Sequence, residues 1–374
     1  METLKIGFFC WESLYSEKVG GLARAATQLA ETLAKHHEVH FFTRGDEDCE
    51  INGVHYHYCR PWGDNIVDYC RDMSLGMLER FRQFDEPKFD ILHFHDWHVV
   101  EAMHVLRERN TVFTYHSTEY GRNGNNFSDW WEFKEISGKE WYAGLITKKI
   151  TAVSNTLKNE VMWLYNVPDW KITAISNSVN PGEFYADVDA GAVKEEYGIH
   201  PLAPLVLFTG RLVYQKGPDL LVDAIPLVLK HRWDAKFFIV GDGDMRFHLD
   251  ERARGLPVKF LGHLPDMEYV RLLNASDIVV IPSRNEPFGL VLLEAWSAER
   301  CVVATDVGGL AENIENFVDG IKVHVNPESI AWGINYVIDD PNGIHILDRR
   351  GKEKVERLFR WDAIADRVFN VYRR

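Results

Sequence analysis

The sequence alternates short apolar runs with amphipathic stretches, and it does so in two successive series. The first series contains LKIGFFC, EVHFFT, DILHFH, TVFTYH and KKITAVS; the second contains PLVLFTG, KFFIVGDG, VKFLGH, DIVVIPS and CVVATDV. Such runs read as strands buried on both faces, since a strand with one wet face would alternate polar and apolar residues. The stretches between them are helical. In LARAATQLAETLAKH, Leu22, Ala25, Ala26, Leu29, Ala30 and Leu33 recur at helical spacing and make one apolar face. Apolar strands joined by helices require parallel sheets covered on both sides, so two series predict two doubly wound α/β domains. The aperiodic stretch ISNSVNPGEFYADVDAG, rich in Asn, Ser, Pro and Gly, places the junction. The reading is therefore 1–180 for the first domain and 181–355 for the second. A C-terminal helix at 356–374, with a break near Phe359–Trp361, is expected to cross back to the first domain.

Bulk properties agree with this. The 374 residues correspond to two domains at roughly 150 residues each. Apolar residues make up 46 % and charged residues 26 %, the proportions of a globular chain. The net charge of -14 argues against nucleic acid as a partner, and more weakly against an anionic membrane surface. The five cysteines are odd in number and lack a C-x-x-C pair, which indicates neither a disulfide framework nor a zinc ribbon. METLKIGFFC runs straight into a strand without a signal-peptide pattern, and no apolar run approaches the ~20 residues of a membrane span. These features predict a soluble, reduced, cytoplasmic protein with no transmembrane segment.

Ligands of open α/β sheets bind beyond the carboxyl ends of the strands, and the chemistry-bearing motifs fall there. KVGGL, at 18–22, joins the first strand to the first helix; Gly20 and Gly21 offer close backbone approach to a phosphate, or form a plain tight turn. GDGD, at 241–244, has Arg246 where a dinucleotide fingerprint needs its third glycine, and it reads as a turn. In FTGRLVYQKG, Arg211 and Lys216 follow a buried strand, as a phosphate clamp or as two solvated cations. In SRNEPFGLVLLEAWSAERCVVATDVGGLAENI, Pro287, Phe288 and Gly289 read as a first helical turn whose N–H groups, at Gly289 and Leu290, can face an anion. Glu286 then lies just before that helix and Glu294 inside it, two turns apart on one side. Carboxylates there suit sugar or ribose hydroxyls. For an isolated Glu-x7-Glu pair, a solvated helix face is the usual explanation.

The first half also holds LHFHDWH and FTYHSTEYGR. His93 and His95 share a strand face, which allows a metal site with Asp96, but strand-end histidines more often bond a ligand or backbone. No metal is expected. Eight of the 12 tryptophans lie in the first 170 residues. Trp97 reads as core. Tyr120, Trp130 and Trp131 lie in STEYGRNGNNFSDWWEF, a segment composed like a binding loop whose ring faces could stack on sugar rings.

KVGGLA, FTGRLVYQKG and EPFGLVLLEAWSAERCVVATDVGGLAE, in this order, resemble the GT-B retaining glycosyltransferases of group 1 (family GT4). KVGGL and HDWH add a likeness to glycogen and starch synthases. The resemblance implies a GT-B fold, two Rossmann-like domains facing a central cleft, with a nucleotide-sugar donor such as UDP- or ADP-glucose held mainly by the second. It implies that Arg211 and Lys216 neutralise the diphosphate, helped by N–H groups of Gly20 or Gly21 and of Gly289 and Leu290. Glu294 would accept hydrogen bonds from the ribose, and Glu286 would stabilise positive charge at the anomeric carbon. His116 would contact the sugar's 6-position, and the KFLGH segment with Leu261 the base. His95, Tyr120, Trp130 and Trp131 are the acceptor-side candidates. No cofactor beyond the co-substrate and no metal is expected.

The chain departs from the family at Asn177-Ser178-Val179-Asn180, where Asn-Gly, an aliphatic residue and Asp are usual, and it is short for a glycogen synthase. The acceptor stays open among an α-glucan, a sugar phosphate, a lipid-linked sugar and a glycerate. Two other functions compete: a non-catalytic sugar-nucleotide or glycan-binding protein on the same scaffold, and a GT-B sugar-nucleotide epimerase. A glycosidase fits poorly, because it needs two carboxylates facing each other across a bond.

Overall fold

The structure, a computed structural model, describes residues 3–16 and 20–373, with backbone alone at 341–344. Lys18 and Val19 of the KVGGL segment therefore lie outside the described residues. The chain divides into two compact units. Unit 1 comprises Met1–Arg122, Asn126–Val179 and Trp361–Arg374; unit 2 comprises Asn123–Asn125 and Asn180–Arg360.

Unit 1 is built on an eight-stranded sheet: β1 Lys5–Phe9, β2 Glu38–Arg44, β3 Cys49–Ile51, β4 Val54–Cys59, β5 Ile91–His95, β6 Thr111–Tyr115, β7 Lys149–Ala152 and β8 Ile172–Ala174. The order is β3-β4-β2-β1-β5-β6-β7-β8, and every pairing is parallel except β3 with β4. Every residue of β1, β5 and β6 is buried, as strands covered on both faces must be. The sequence reading missed the β3–β4 hairpin, although its signal is present. Asn52 and Gly53 carry positive φ of 51° and 79°, the backbone that an Asn-Gly hairpin turn supplies. It also missed β8, too short to show a period.

The helix Trp361–Arg373 completes the core of unit 1. Trp361, Ile364, Ala365, Val368, Phe369, Val371 and Tyr372 are buried against Phe8, Val39, Phe41 and Ile91. Polar contacts fix its register, three of them made by Trp361 and Tyr372. Trp361 Nε1 donates to Gln28 Oε1 at 2.9 Å, Tyr372 OH meets His93 Nδ1 at 2.7 Å, and Lys149 Nζ donates to the Tyr372 carbonyl at 2.7 Å.

Unit 2 has a six-stranded, wholly parallel sheet: β9 Leu205–Thr209, β10 Lys236–Val240, β11 Val258–Gly262, β12 Ile278–Ile281, β13 Cys301–Thr305 and β14 Ile321–Val323, in the order β11-β10-β9-β12-β13-β14. The order runs outward in both directions from β9, so loops leaving the carboxyl ends of β9 and β12 converge where such folds take ligands. β14 is three residues long and was also invisible to the sequence reading. Among the described residues no helix is long and apolar enough to cross a membrane.

The helix Pro341–Leu358 carries one misfit. Asp348 Oδ1 is buried with no hydrogen-bond partner among the described residues. Burial, opposed by Arg300, pushes this carboxyl from 3.8 up to about 7. The native state thus holds the proton more tightly than the unfolded chain, so stability is lost as pH rises across that window and is level above it. Asp348→Asn is expected to match the wild type at pH 4 and to exceed it by roughly 2 kcal/mol at pH 8, about half the full conversion because the group is partly exposed. Urea unfolding at the two pH values reads this directly, and an equal difference at both would refute it.

Candidate active site

In unit 2 the carboxyl ends of β9 and β12 bring two loops together. Glu286 is nearly buried, and Lys216 Nζ donates to both of its carboxylate oxygens, at 2.9 and 2.7 Å. Ser283 Oγ donates to Oε2 at 3.0 Å. A carboxylate taken out of water is costly unless paired and hydrogen-bonded, and these contacts supply both. Around them a second set of bonds holds the loops. Arg284 grips Asp219 with two bonds, 2.8 and 2.6 Å, donates to the Tyr214 carbonyl at 2.8 Å, and lies 3.8 Å over the Tyr214 ring. Its own N–H donates to the Gln215 carbonyl at 2.8 Å. Thr305 Oγ1, at the end of β13, donates to the Ser283 carbonyl at 2.6 Å.

Two glycines permit the close approach. Gly217 has φ +64°, and a Cβ there would meet the Pro282 carbonyl oxygen at 2.1 Å. Gly308 has φ +50°, and its Cβ would meet the Glu286 carbonyl oxygen at 2.0 Å. The neighbouring N–H of Gly309 donates to that same carbonyl at 2.7 Å. The Gly-Gly turn at 308–309 therefore fixes the backbone of Glu286.

The helix Leu290–Ser297 follows, entered through Gly289 at φ +96° and without a side-chain cap. Its first N–H groups have no partner within the helix, and this end carries the positive pole of the helix dipole. Glu294 stands on it half-buried, with Oε2 accepting from Tyr269 OH at 2.7 Å. Arg211 is exposed on the loop after β9. That loop is pinned by the GDGD turn, where Leu212 N–H donates to the Asp242 carbonyl and Met245 N–H to the Leu212 carbonyl, both at 2.9 Å. Leu261 is half-buried in β11.

In unit 1, His116 follows β6 half-buried, its Nε2 3.0 Å from His95 Nδ1. Burial drives His116 down to about 3, so the ring is neutral near pH 7. Asp96, after β5, adopts φ 61° and ψ 174°, a region that residues other than glycine occupy only under strain. It accepts the His116 N–H at 3.4 Å, and burial pushes its carboxyl up to about 6. The next turn is held by a buried cluster. Arg122 bonds Glu119 at 2.8 Å and also Glu140, whose other oxygen accepts from the Glu119 N–H at 2.9 Å and from Tyr165 OH. Burial, opposed by Arg122, pushes Glu140 up to about 7. Tyr120, Phe127 and Trp163 pack ring against ring at 4.8–6.0 Å, with Phe127 and Trp163 largely exposed.

Comparison with known proteins places this arrangement. The family described as "Glycosyl transferases group 1" matches residues 191–354, and "Glycosyltransferase Family 4" matches 19–183. An uncharacterised glycosyltransferase of Methanocaldococcus jannaschii is 37 % identical over 99 % of this chain and 98 % of its own. The chain belongs to the group 1 glycosyltransferases. A glycogen synthase of Mycobacterium tuberculosis is 28 % identical over 76 % of this chain and 68 % of its own. Anabaena HepE, solved with UDP-glucose, shares the GT-B fold with a TM-score of 0.79, at 18 % identity over 98 % of both chains.

Within this glycosyltransferase, unit 2 brings Glu286 and Lys216 into contact, and Arg211 shares the Lys216 loop. Four expectations need correction. Glu286 and Glu294 do not lie two turns apart on one helical side, because the helix begins only at Leu290 and Gly289 turns the chain before it. Phe288 is 3 % exposed and packs edge-on against Phe359, so its ring supports the loop and cannot reach a donor. His95 is 1 % exposed, stacked on Phe8, with Nδ1 engaged by His116, so it is a support for His116 and not an acceptor contact. Gly20 commits its N–H to Glu12 Oε2 at 3.1 Å, and Glu12 Oε1 takes the Ala23 N–H at 3.2 Å. A carboxylate from the protein thus stands where a phosphate was expected to use Gly20; Gly21 opens the following helix.

Of the remaining acceptor-side candidates, Trp130 and Trp131 are exposed and Tyr120 joins the ring cluster. Trp97 is core at 3 % exposure. His93 spends both ring nitrogens, on Tyr372 OH and on Thr114 Oγ1 at 2.6 Å. Among the described residues no three His, Cys, Asp or Glu side chains are grouped as metal ligands. The sequence reading missed Ser283 and Arg284, which stand inside the motif that it singled out, and Tyr269, which carries no motif at all.

Gly308→Ala is expected to lower stability by roughly 2–4 kcal/mol, since a side chain there meets both a disfavoured φ and a backbone oxygen. A urea midpoint moved down with an unchanged slope would show it; a midpoint within error of wild type would not.

Proposed function

We propose that this enzyme is a retaining glycosyltransferase that moves glucose from a nucleoside-diphosphate glucose, UDP- or ADP-linked, to a hydroxyl of a carbohydrate acceptor, in the manner of an α-glucan synthase. The observation that carries the proposal is the Lys216–Glu286 ion pair, formed on both carboxylate oxygens at the carboxyl ends of β9 and β12. The HepE structure with UDP-glucose and the glycogen synthase relative support the choice of donor and acceptor class.

In this reading the diphosphate is met by Arg211, by Lys216 and by the N–H groups at Gly289 and Leu290. The bond from the anomeric carbon to the phosphate oxygen breaks, and its electron pair goes to that oxygen. The cations and helix end are fixed in advance, so they stabilise the new charge without reorganising. Lys216 then bridges the departing phosphate and Glu286. The Glu286 carboxylate faces the positive charge growing at the anomeric carbon. The acceptor oxygen bonds that carbon on the face the phosphate leaves, and its proton passes to the phosphate oxygen, which keeps the anomeric configuration and needs no side-chain base. Glu294, oriented by Tyr269, accepts the ribose hydroxyls, and Leu261 with its neighbours takes the base. Neutral His116 offers a hydrogen bond to a sugar hydroxyl. No metal takes part, because Arg211 and Lys216 supply the positive charge.

Glu286→Gln is expected to lower kcat about 10²–10³-fold at similar donor KM, measured as nucleoside diphosphate released from UDP- or ADP-glucose with a maltooligosaccharide acceptor. Absence of release from the wild type with every donor and acceptor tried would favour a non-catalytic binding protein. Tyr269→Phe should raise donor KM by roughly 5–10-fold with kcat unchanged, as loss of one oriented hydrogen bond predicts. Exhaustive dialysis against EDTA should leave the rate unaltered, and a rate restored only by added divalent cation would overturn the metal-independent route.

A further inference from the structure

Unit 2 carries an aromatic group that the donor chemistry does not use. Phe317, Trp332 and Tyr336 are mutually in contact, with ring centroids 6.3, 5.4 and 5.6 Å apart, and each keeps 40–48 % of its surface exposed. Trp332 and Tyr336 lie one turn apart on the helix Pro327–Asp339 and are inclined by only 32°, so together they offer a gently bent platform. Phe317 stands across it at 72–82°.

Two further observations show that this group is more than spare apolar surface. Phe317 has φ +60°, a left-handed backbone that disfavours any Cβ and a bulky residue most of all. The turn is closed by the Phe317 N–H on the Gly320 carbonyl at 2.9 Å, and Asn or Gly would fit it at less cost. Asn335, on the same helix face as Trp332 and Tyr336, has a side-chain Oδ1 that is buried and meets no hydrogen-bond partner among the described residues. The strained residue is itself one of the three rings, and the unmet amide lies between the other two along the helix.

Charge and area narrow the occupant. Glu312 and Glu315 are exposed in the segment leading to Phe317, while Lys322 and Lys354 are paired with Asp306 and Asp319. Local charge is therefore negative, which opposes anionic lipid and nucleic acid. The three rings expose roughly 300 Å² between them, well below the ~800 Å² per partner of a stable protein interface. Ring faces with exposed carboxylates nearby in the chain match the apolar faces and hydroxyls of a sugar chain.

We infer that Phe317, Trp332 and Tyr336 form a secondary binding site for a neutral polysaccharide chain, separate from the site of transfer. The topology separates them. The turn at 316–320 precedes β14, at the amino end of the parallel sheet, whereas Glu286 follows β12 at its carboxyl end. A polymer held there stays tethered while its ends are extended, which raises their effective concentration. The inference rests on the reading of the acceptor as carbohydrate, and the experiment separates the two.

Native electrophoresis of the full chain through gels containing soluble glycogen or dextran tests it. Wild type should be retarded by at least one of these polymers. Trp332→Ala/Tyr336→Ala and Phe317→Ala should lose at least fivefold in apparent affinity, with an unchanged thermal shift on adding UDP-glucose and unchanged turnover on a short acceptor. Absence of retardation in the wild type, or equal retardation of wild type and variants, overturns the site. A wild type that sediments as a dimer beside monomeric variants overturns it too, since a second copy would then be the occupant. Turnover intact without retardation sinks this inference alone, whereas retardation without turnover on any nucleotide sugar sinks only the catalytic reading.

Discussion

A parallel sheet buried on both faces cannot be joined by short hairpins, and that constraint organises the chain everywhere except the β3–β4 hairpin. Each return to the start of the sheet consumes a helix, so the loops that follow the strands gather at one edge. In unit 2 this gathers the segments after β9, β10 and β12 although they are far apart in sequence. Lys216 and Glu286 are 70 residues apart and share two hydrogen bonds. The site is thus a product of topology first and residue choice second.

Residue choice then determines how firmly the loops are held. The ammonium and carboxylate of Lys216 and Glu286 are largely desolvated, with 23 % and 9 % of their side chains exposed. Removing one partner of such a pair commonly costs about 3–5 kcal/mol, because the other is left buried and unmatched. Arg284 and Asp219 repeat the arrangement one layer out, and backbone contacts through Gly217 and Gly308 leave the loops little room to drift. Catalysis by fixed charge needs this rigidity, because a charge that must reorganise gives up part of its advantage. The same logic governs unit 1, where Asp96 keeps a strained backbone and the buried Arg122–Glu140 pair holds the turn after His116.

What the sequence made legible follows from locality. β1, β2, β5, β6, β7, β9, β10, β11, β12 and β13 were visible because each lies in a short, mainly apolar run. β8 and β14 are three residues long and too short for any period, while the β3–β4 hairpin was overlooked despite its Asn-Gly turn. The helix break between Leu358 and Trp361 was visible as a lapse in the amphipathic pattern. At the site, the motif residues Arg211, Lys216, Glu286 and Glu294 could be picked out by type and spacing. Their partners could not, because a contact such as Tyr269 with Glu294, or Glu12 with the backbone of Gly20, is made by packing between segments. Phe288 shows the converse error, since a residue prominent within a motif was given a ligand role when its ring is core.

The helix Trp361–Arg373 bears on how the protein comes into being. The chain leaves unit 1 at Val179, runs through unit 2, and returns only at Trp361. During synthesis the core of unit 1 therefore stays open, with Phe8, Val39 and Phe41 lacking their cover, until the helix Trp361–Arg373 has emerged. From residue 180 onward, unit 2 is one uninterrupted stretch of chain and can close first. The usual order, in which amino-terminal domains finish folding before those behind them, is inverted here. The half made earliest is the half that waits longest for its core.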